Sequence, residues 1–93
     1  SIRNINHWKN DSLYIYLDDI DIFYQEYSLI FDCGIYCNLE IGIVDIYGIN
    51  YYASALIDLL IEKLKKDKPI DYECLISWLN ESKKHNGFYI LGI

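Results

Sequence analysis

Hydrophobic residues change their spacing several times along this chain, and each change marks a predicted element. From Ser12 the apolar positions recur every three or four residues, which predicts a helix over residues 12–31. The members of this stripe are Leu13, Leu17, Ile20, Tyr24, Tyr27 and Phe31. An alternative interpretation has a short strand at "LYIYL" and a helix that begins at Asp18, because Asp is a favoured N-cap residue. Both interpretations make residues 18–31 helical.

The middle of the chain loses the helical period. Gly34, Gly42 and Gly48 interrupt a segment rich in β-branched and aromatic residues, which is typical of strands and turns. The pattern therefore predicts a strand over residues 41–47, with a possible hairpin partner over residues 34–37.

Two amphipathic helices and a final strand are predicted for the rest. The first helix ends before Pro69, which prevents its continuation, and the second begins at Asp71 and ends before Gly87. The stripe of the first helix consists of Ala53, Leu56, Ile57, Leu60, Ile61 and Leu64. The terminal "GFYILGI" is apolar at both alternating positions, which favours a strand buried between layers. A right-handed crossover through the helical pair could make it parallel to the preceding strand.

These elements predict an α+β fold: a compact single domain over residues 1–93, with three helices packed on a small two- to three-stranded sheet. Ninety-three residues are too few for two independent cores, and the 53% hydrophobic fraction excludes a disordered tail. Residues 1–10 are expected to be irregular, or a short edge strand through Ile2 and Ile5. Because the apolar runs are too short for a membrane span and no signal segment precedes them, we expect a cytoplasmic location.

The layout of charge adds an expectation about partners. The net charge is −6, yet no base occurs between Lys9 and Lys63, where ten of the fourteen acids lie. Such a field repels nucleic acid and anionic lipid, and it attracts basic surfaces. We therefore expect a basic protein partner and no direct binding to nucleic acid or membrane.

Patterns for catalysis and metal binding are weak. The sequence has no phosphate-binding glycine loop, no HExxH and no GxSxG, and neither His7 nor His85 has a recognisable acid–base partner. Cys33, Cys37 and Cys74 are interpreted as reduced, buried structural thiols rather than as zinc ligands. We expect no enzymatic activity, catalytic residue, metal or cofactor. A small hydrolase or metal-dependent enzyme built on the two histidines stays open as a rival.

The first predicted helix offers a candidate binding surface. With Leu13, Tyr24 and Phe31 toward the core, an apolar line at spacing seven faces outward between two mostly acidic flanks. The line consists of Ile15, Ile22 and Leu29, one flank of Asp18, Asp21, Gln25 and Asp32, and the other of Asp19 and Glu26. An apolar centre with a charged rim is typical of binding surfaces, although a helix packed on both sides would bury the same line. The residues chosen as partner contacts are Asp18, Asp19, Asp21, Ile22, Gln25 and Glu26.

Tyrosine marks a second candidate region. The chain has ten tyrosines, and "YGINYY" places Tyr47, Tyr51 and Tyr52 around a predicted strand-to-helix turn at which Asn50 starts the helix. Tyrosine suits a surface that must be apolar, rigid and hydrogen-bonding, and it is equally common in cores. These three tyrosines are predicted as second-tier partner contacts.

Two segments resemble a known family. The stretches "FYQEYSLIFDCGIYCNLEIGIVDIYGINYY" and "PIDYECLISWLNESKKHNGFYILGI" resemble small bacterial immunity proteins that neutralise ribonuclease toxins of contact-dependent growth inhibition systems. The resemblance covers residues 23–93, is most recognisable in "VDIYGINYY" and "NGFYILGI", and contains no catalytic motif. It implies a cytoplasmic antitoxin that binds the nuclease domain of its cognate toxin, which in some cases cleaves tRNA. It assigns no individual binding residue.

Charge and resemblance lead to the same hypothesis. Ribonucleases need cationic surfaces to hold phosphates, so an acidic inhibitor complements them and associates with them quickly. We expect stoichiometric occlusion of the cationic active site or RNA-binding surface of a ribonuclease toxin domain. The alternative is a small acidic regulatory adaptor that binds another basic host protein.

Overall fold

A computed structural model describes residues 11–92, which form a five-stranded mixed sheet and three helices. The elements in chain order are β1 (Ser12–Ile15), α1 (Ile20–Tyr27), β2 (Gly34–Tyr36), β3 (Ile41–Gly42), β4 (Ile49–Ala53), α2 (Ile57–Asp67), α3 (Tyr72–Ser82) and β5 (Gly87–Gly92). Short 3-10 turns over Leu17–Asp19 and Ser54–Leu56 lead into α1 and α2. The α+β class, the compact domain and the three helices are confirmed. The predictions for residues 1–10 lie outside the described residues.

The sheet has five strands, so the prediction of two or three strands is wrong. Their order is β1-β5-β4-β2-β3, with β5 parallel to β1 and all other neighbours antiparallel. The sequence pattern underestimated the sheet because the additional strands are short: β1 has four residues and β4 has five. Segments of that length carry too few alternating positions to be recognised.

The terminal strand, for which a parallel arrangement with its predecessor was one possibility, is antiparallel to it. Ala53 at the end of β4 pairs with Gly87 at the start of β5. The α2–α3 pair returns the chain to the end of the sheet that it left, so β5 runs back along β4. The parallel neighbour of β5 is β1 instead, with Ser12 opposite Tyr89.

The predicted helix over residues 12–31 is wrong at its start and at its end. Leu13 and Ile15 alternate inward in β1, where pairing with β5 overrides the spacing of three and four. The helix is limited to α1, and Phe31 follows in a turn in which its N–H donates to the Tyr27 carbonyl at 3.0 Å. The alternative interpretation, a strand followed by a helix, is closer to the structure, although α1 begins at Ile20.

The strand predicted over residues 41–47 is mostly loop. Val44 turns into the core and its N–H donates to the Phe31 carbonyl at 2.8 Å, so the chain leaves the sheet after Gly42. The predicted hairpin between this region and residues 34–37 is confirmed, with Gly34 opposite Gly42. Asn50, predicted to start a helix, lies in β4.

All three helices bury their apolar stripes against one face of the sheet. In α2 these residues are Ile57, Leu60, Ile61 and Leu64, as predicted. An aromatic cluster connects α1 to the strands, because the Phe31 ring lies 6.1 Å from Phe23 and 5.4 Å from Tyr52. Gly34 permits this packing, since a Cβ there would lie 2.7 Å from the Tyr52 ring. The core therefore lies between the helices and the inward residues of the sheet.

Candidate binding surfaces

The outer side of α1 and its flanking turns form the first candidate, which we call the helix surface. Its exposed residues are Leu17, Asp18, Asp21, Ile22, Tyr24, Gln25 and Leu29. Ile22 is 39% exposed and Leu29 is 76% exposed, so these apolar side chains lie beside carboxylates at the surface. This surface contains four of the six helical residues chosen from the sequence.

Several residues assigned to this helix lie elsewhere. Asp19 is only 2% exposed, and Ile15 is buried because it belongs to β1. Glu26 is half-buried, and its Oε1 accepts the Ile70 N–H at 2.8 Å, which connects α1 to the segment before α3. Tyr24, predicted to face the core, is exposed. The apolar line at spacing seven is therefore reduced to Ile22 and Leu29.

The three predicted contact tyrosines occupy different environments. Tyr52 is fully buried and stacks on Phe88 with ring centroids 5.0 Å apart, so it belongs to the core and not to a surface. Burial raises the pKa of the Tyr52 phenol above its ordinary range. Tyr47 is exposed in the turn before β4, and Tyr51 is half-buried on the sheet face opposite Tyr52.

The sheet face that carries Tyr51 is the second candidate, which we call the open sheet face. Its residues are Ile35, Ile41, Ile49, Tyr51, Tyr89 and Leu91. Within residues 11–92 the helices pack on the other face, and Ile41 remains 70% exposed and Ile49 49% exposed. A sheet covered on one face normally presents polar residues to water on the other, so an apolar exposed face indicates a binding surface.

One row of paired residues crosses most of the open sheet face. Ile41 pairs with Ile35, Ile35 with Tyr51, and Tyr51 with Tyr89. The Tyr51 and Tyr89 rings are in contact, with centroids 5.2 Å apart and planes inclined by 52°. The Tyr51 hydroxyl donates to the Asn86 carbonyl at 2.6 Å, which fixes its ring.

Tyr51 and Tyr89 both line two cavities. The first has a volume of about 370 Å³, and no charged residue lines it within the described part of the chain; its lining there consists of Ile35, Tyr36, Cys37, Leu39, Ile49, Tyr51 and Tyr89. We call it the apolar cavity. The second has a volume of about 320 Å³ and is lined by Asp11, Tyr51, His85, Asn86, Gly87 and Tyr89. We call it the polar cavity.

The thiols and histidines show no metal-site arrangement in the described part of the chain. No group of three or more His, Cys, Asp or Glu residues among residues 11–92 is placed to hold a metal ion. All three cysteines are free, and Cys37 and Cys74 are exposed, so the prediction of buried thiols is wrong for these two. Cys33 is half-buried, and burial raises the pKa of its thiol. His85 lines the polar cavity, whereas His7 lies outside the described residues.

Sequence reasoning missed most of the open sheet face. Asp11, Ile35, Ile49 and Tyr89 were not selected, although "GFYILGI" has apolar residues at both alternating positions. That pattern was interpreted as burial on both sides, whereas β5 is buried on one side only, and Tyr89 is exposed on the other.

Comparisons do not add a relative to these observations. No family model, no curated protein and no solved structure matches the chain. Among residues 11–92, no helix combines the length and the apolar character that a membrane span requires.

Proposed function

We propose that this protein is an immunity protein that binds a basic ribonuclease toxin domain and neutralises it by stoichiometric occlusion. The observation that carries the proposal is the open sheet face, an exposed apolar surface on an otherwise acidic chain. An apolar centre gives a partner area to bury, and surrounding acids select a partner of positive charge. The protein acts by binding and has no catalytic role.

The distribution of ion pairs supports a cationic partner. Within residues 11–92 these pairs join Lys63 to Asp32, Lys83 to Asp58, and Lys84 to Glu81, and each involves α2 or the turn after α3. None of these three pairs includes Asp11, which directly precedes β1 and lines the polar cavity. The Asp11 carboxylate therefore forms no ion pair with a lysine of residues 11–92.

Coexpression with a toxin tests the function directly. We expect the protein to form a one-to-one complex with the nuclease domain encoded immediately upstream of its gene, and to abolish cleavage of RNA by that domain. Size-exclusion chromatography and an RNA cleavage assay measure the two results. Absence of a complex, or a complex that still cleaves RNA, would refute the proposal.

Two charge-reversal variants separate contact from general attraction. Asp18→Lys/Asp21→Lys changes the helix surface, and Glu62→Lys/Glu73→Lys changes α2 and α3; each replaces two carboxylates by two ammonium groups, so the net charge of −6 becomes −2 in both. We expect both variants to bind the toxin domain more slowly than the wild type, and to the same extent, at about 10 mM salt. The reason is that the screening length at that salt concentration, about 30 Å, matches the 29 Å length of the molecule. If the Asp18/Asp21 variant loses much more affinity for the toxin domain than the Glu62/Glu73 variant does, the helix surface contacts the toxin.

A further inference from the structure

The polar cavity has the chemical features of a site for a planar cation. Its lining combines a carboxylate from Asp11 with the rings of Tyr51 and Tyr89 and the imidazole of His85, and among residues 11–92 it includes no Lys or Arg. Tyrosine faces attract a cation through the ring quadrupole, and a carboxylate accepts charge-assisted hydrogen bonds from it. Both kinds of group therefore favour the same positively charged ligand.

The groups of this cavity are held in position by the backbone. The Tyr89 N–H donates to the backbone carbonyl of Asp11 at 2.8 Å, which places Asp11 next to Tyr89 at the start of β1. The Ser12 hydroxyl donates to Asp11 Oδ1 at 3.1 Å. A carboxylate accepts about four hydrogen bonds in total, so Asp11 retains capacity for further donors. A ligand thus meets a site that needs little rearrangement.

Guanidinium fits these groups better than ammonium does. It is planar, stacks on aromatic rings and donates from two nitrogens to one carboxylate, whereas ammonium is a compact, strongly hydrated charge. A nucleotide is disfavoured because the Asp11 carboxylate would repel its phosphate. We infer that the polar cavity binds an arginine side chain of the partner protein and that the open sheet face is the docking surface. This inference rests on the proposed function for the identity of the partner.

The apolar cavity extends the inference to a second side chain. It shares Tyr51 and Tyr89 with the polar cavity, and none of its lining residues between positions 11 and 92 is charged. The docked segment therefore carries an arginine and an apolar side chain on the same side. The arginine provides charge selectivity, and the apolar residue provides buried area.

Substitutions at the cavity test the inference in the complex. We expect Asp11→Asn and Tyr89→Leu each to raise the dissociation constant for the nuclease domain by about tenfold, mostly through faster dissociation. Glu62→Gln is the matched control, because it removes one exposed carboxylate from α2, and it should leave the dissociation constant within about twofold. Unchanged affinity in both cavity variants, with a complex still formed by the wild type, overturns the inference and leaves the proposed function intact.

A small-molecule probe tests the cavity independently of any toxin. In two-dimensional NMR, Nα-acetyl-arginine amide should shift the amide signals of Tyr51, Gly87 and Tyr89, and the isosteric citrulline derivative should not. Asp11→Asn should abolish these shifts. Equal shifts with both compounds, or none at these residues, would show that the cavity does not select a guanidinium group. If no toxin binds but the arginine probe does, the proposed function fails and the site stands.

Discussion

The helix surface and the open sheet face both expose large apolar side chains, but for different reasons. On α1 the exposed Ile22 lies among carboxylates because one side of the helix is used for the core and the other meets water. On the sheet, Ile41 and Ile49 are exposed because the helices among residues 11–92 cover the opposite face. The first surface is mixed in character, whereas the second has an uncharged centre.

This difference indicates how each surface contributes to binding. Dispersed carboxylates act at a distance and are screened by salt, so they affect the rate of association. A continuous apolar face with cavities excludes water and fits the shape of a partner, so it affects the rate at which the complex dissociates. Variants and thiol labelling can test whether the two surfaces depend on one core, whether the buried Asn50 amide holds the loop before β4, and which surface the partner covers.

The largest loss of stability is expected at Phe31, whose ring connects α1 to the sheet. Phe31 is fully buried. The centroid of its ring lies 6.1 Å from that of Tyr27, the last residue of α1, and 6.4 Å from that of Phe88 in β5. Phe31→Ala should lower the free energy of unfolding by about 3 to 5 kcal/mol, because it leaves a cavity in the core. Urea denaturation followed by circular dichroism measures the loss.

Phe31→Leu is the control for that experiment, because it keeps apolar volume at the same position. It should lose less than half as much stability as the alanine variant. If Phe31→Ala costs less than about 1 kcal/mol, the aromatic cluster does not couple α1 to the sheet, since buried Phe→Ala changes normally cost several times more.

A smaller effect is expected at Asn50, which lies in β4 on the core face of the sheet, opposite the face of Tyr51. This side chain is fully buried and accepts the Asp45 N–H at 2.7 Å, while its Nδ2 donates to the carbonyls of Asp45 at 2.9 Å and Ile90 at 3.1 Å. Asn50→Ala leaves these groups unpaired and should lower the free energy of unfolding by about 1 to 3 kcal/mol. Urea denaturation measures the change.

Asn80→Ala is the matched control, because Asn80 is exposed on α3. Its effect should stay within about 0.5 kcal/mol. Equal stability of the two variants would show that the buried amide does not hold the loop between β3 and β4.

The smallest expected effect is a difference between Cys37 and Cys74 in how much complex formation slows their alkylation. Cys37 lines the apolar cavity, whereas Cys74 is exposed on α3, so the two thiols report on different sides of the molecule. Toxin binding should slow alkylation of Cys37 by about tenfold or more and leave Cys74 unchanged, since covered thiols react slowly. Mass spectrometry of peptides measures both rates.

Cys33 provides an internal reference for that experiment. Burial raises the pKa of its thiol, so it should react more slowly than Cys37 in the free protein. Protection of Cys74 without protection of Cys37 would place the partner on the helical side.

A helix was predictable where the spacing of its own apolar side chains determines its structure. The stripe of α2 is periodic over eleven residues, and burial follows it at Ile57, Leu60, Ile61 and Leu64. β1 was predicted only in the alternative interpretation, as a strand at "LYIYL", because its conformation depends on pairing with β5, and Ser12 pairs with Tyr89 far along the chain. Local spacing contains no information about such a distant partner.

The candidate site was predictable only in part for a related reason. Asp18 and Asp21 are exposed as expected, because charged residues on a short helix remain hydrated. Tyr51 and Tyr52 were assigned the same role, yet strand alternation directs them to opposite faces. Asp11 and Tyr89 meet at one cavity only because β1 and β5 are neighbours in the sheet.

The position of β5 has a consequence for folding during synthesis. This strand is made after the other four, yet it lies between β1 and β4 and supplies hydrogen bonds to both. Until it leaves the ribosome, those two strands have unsatisfied edges and cannot join, and closing a parallel pair across so long a separation is slow. The nascent chain therefore passes through a stage at which chaperones can bind it and at which aggregation competes with completion of the sheet.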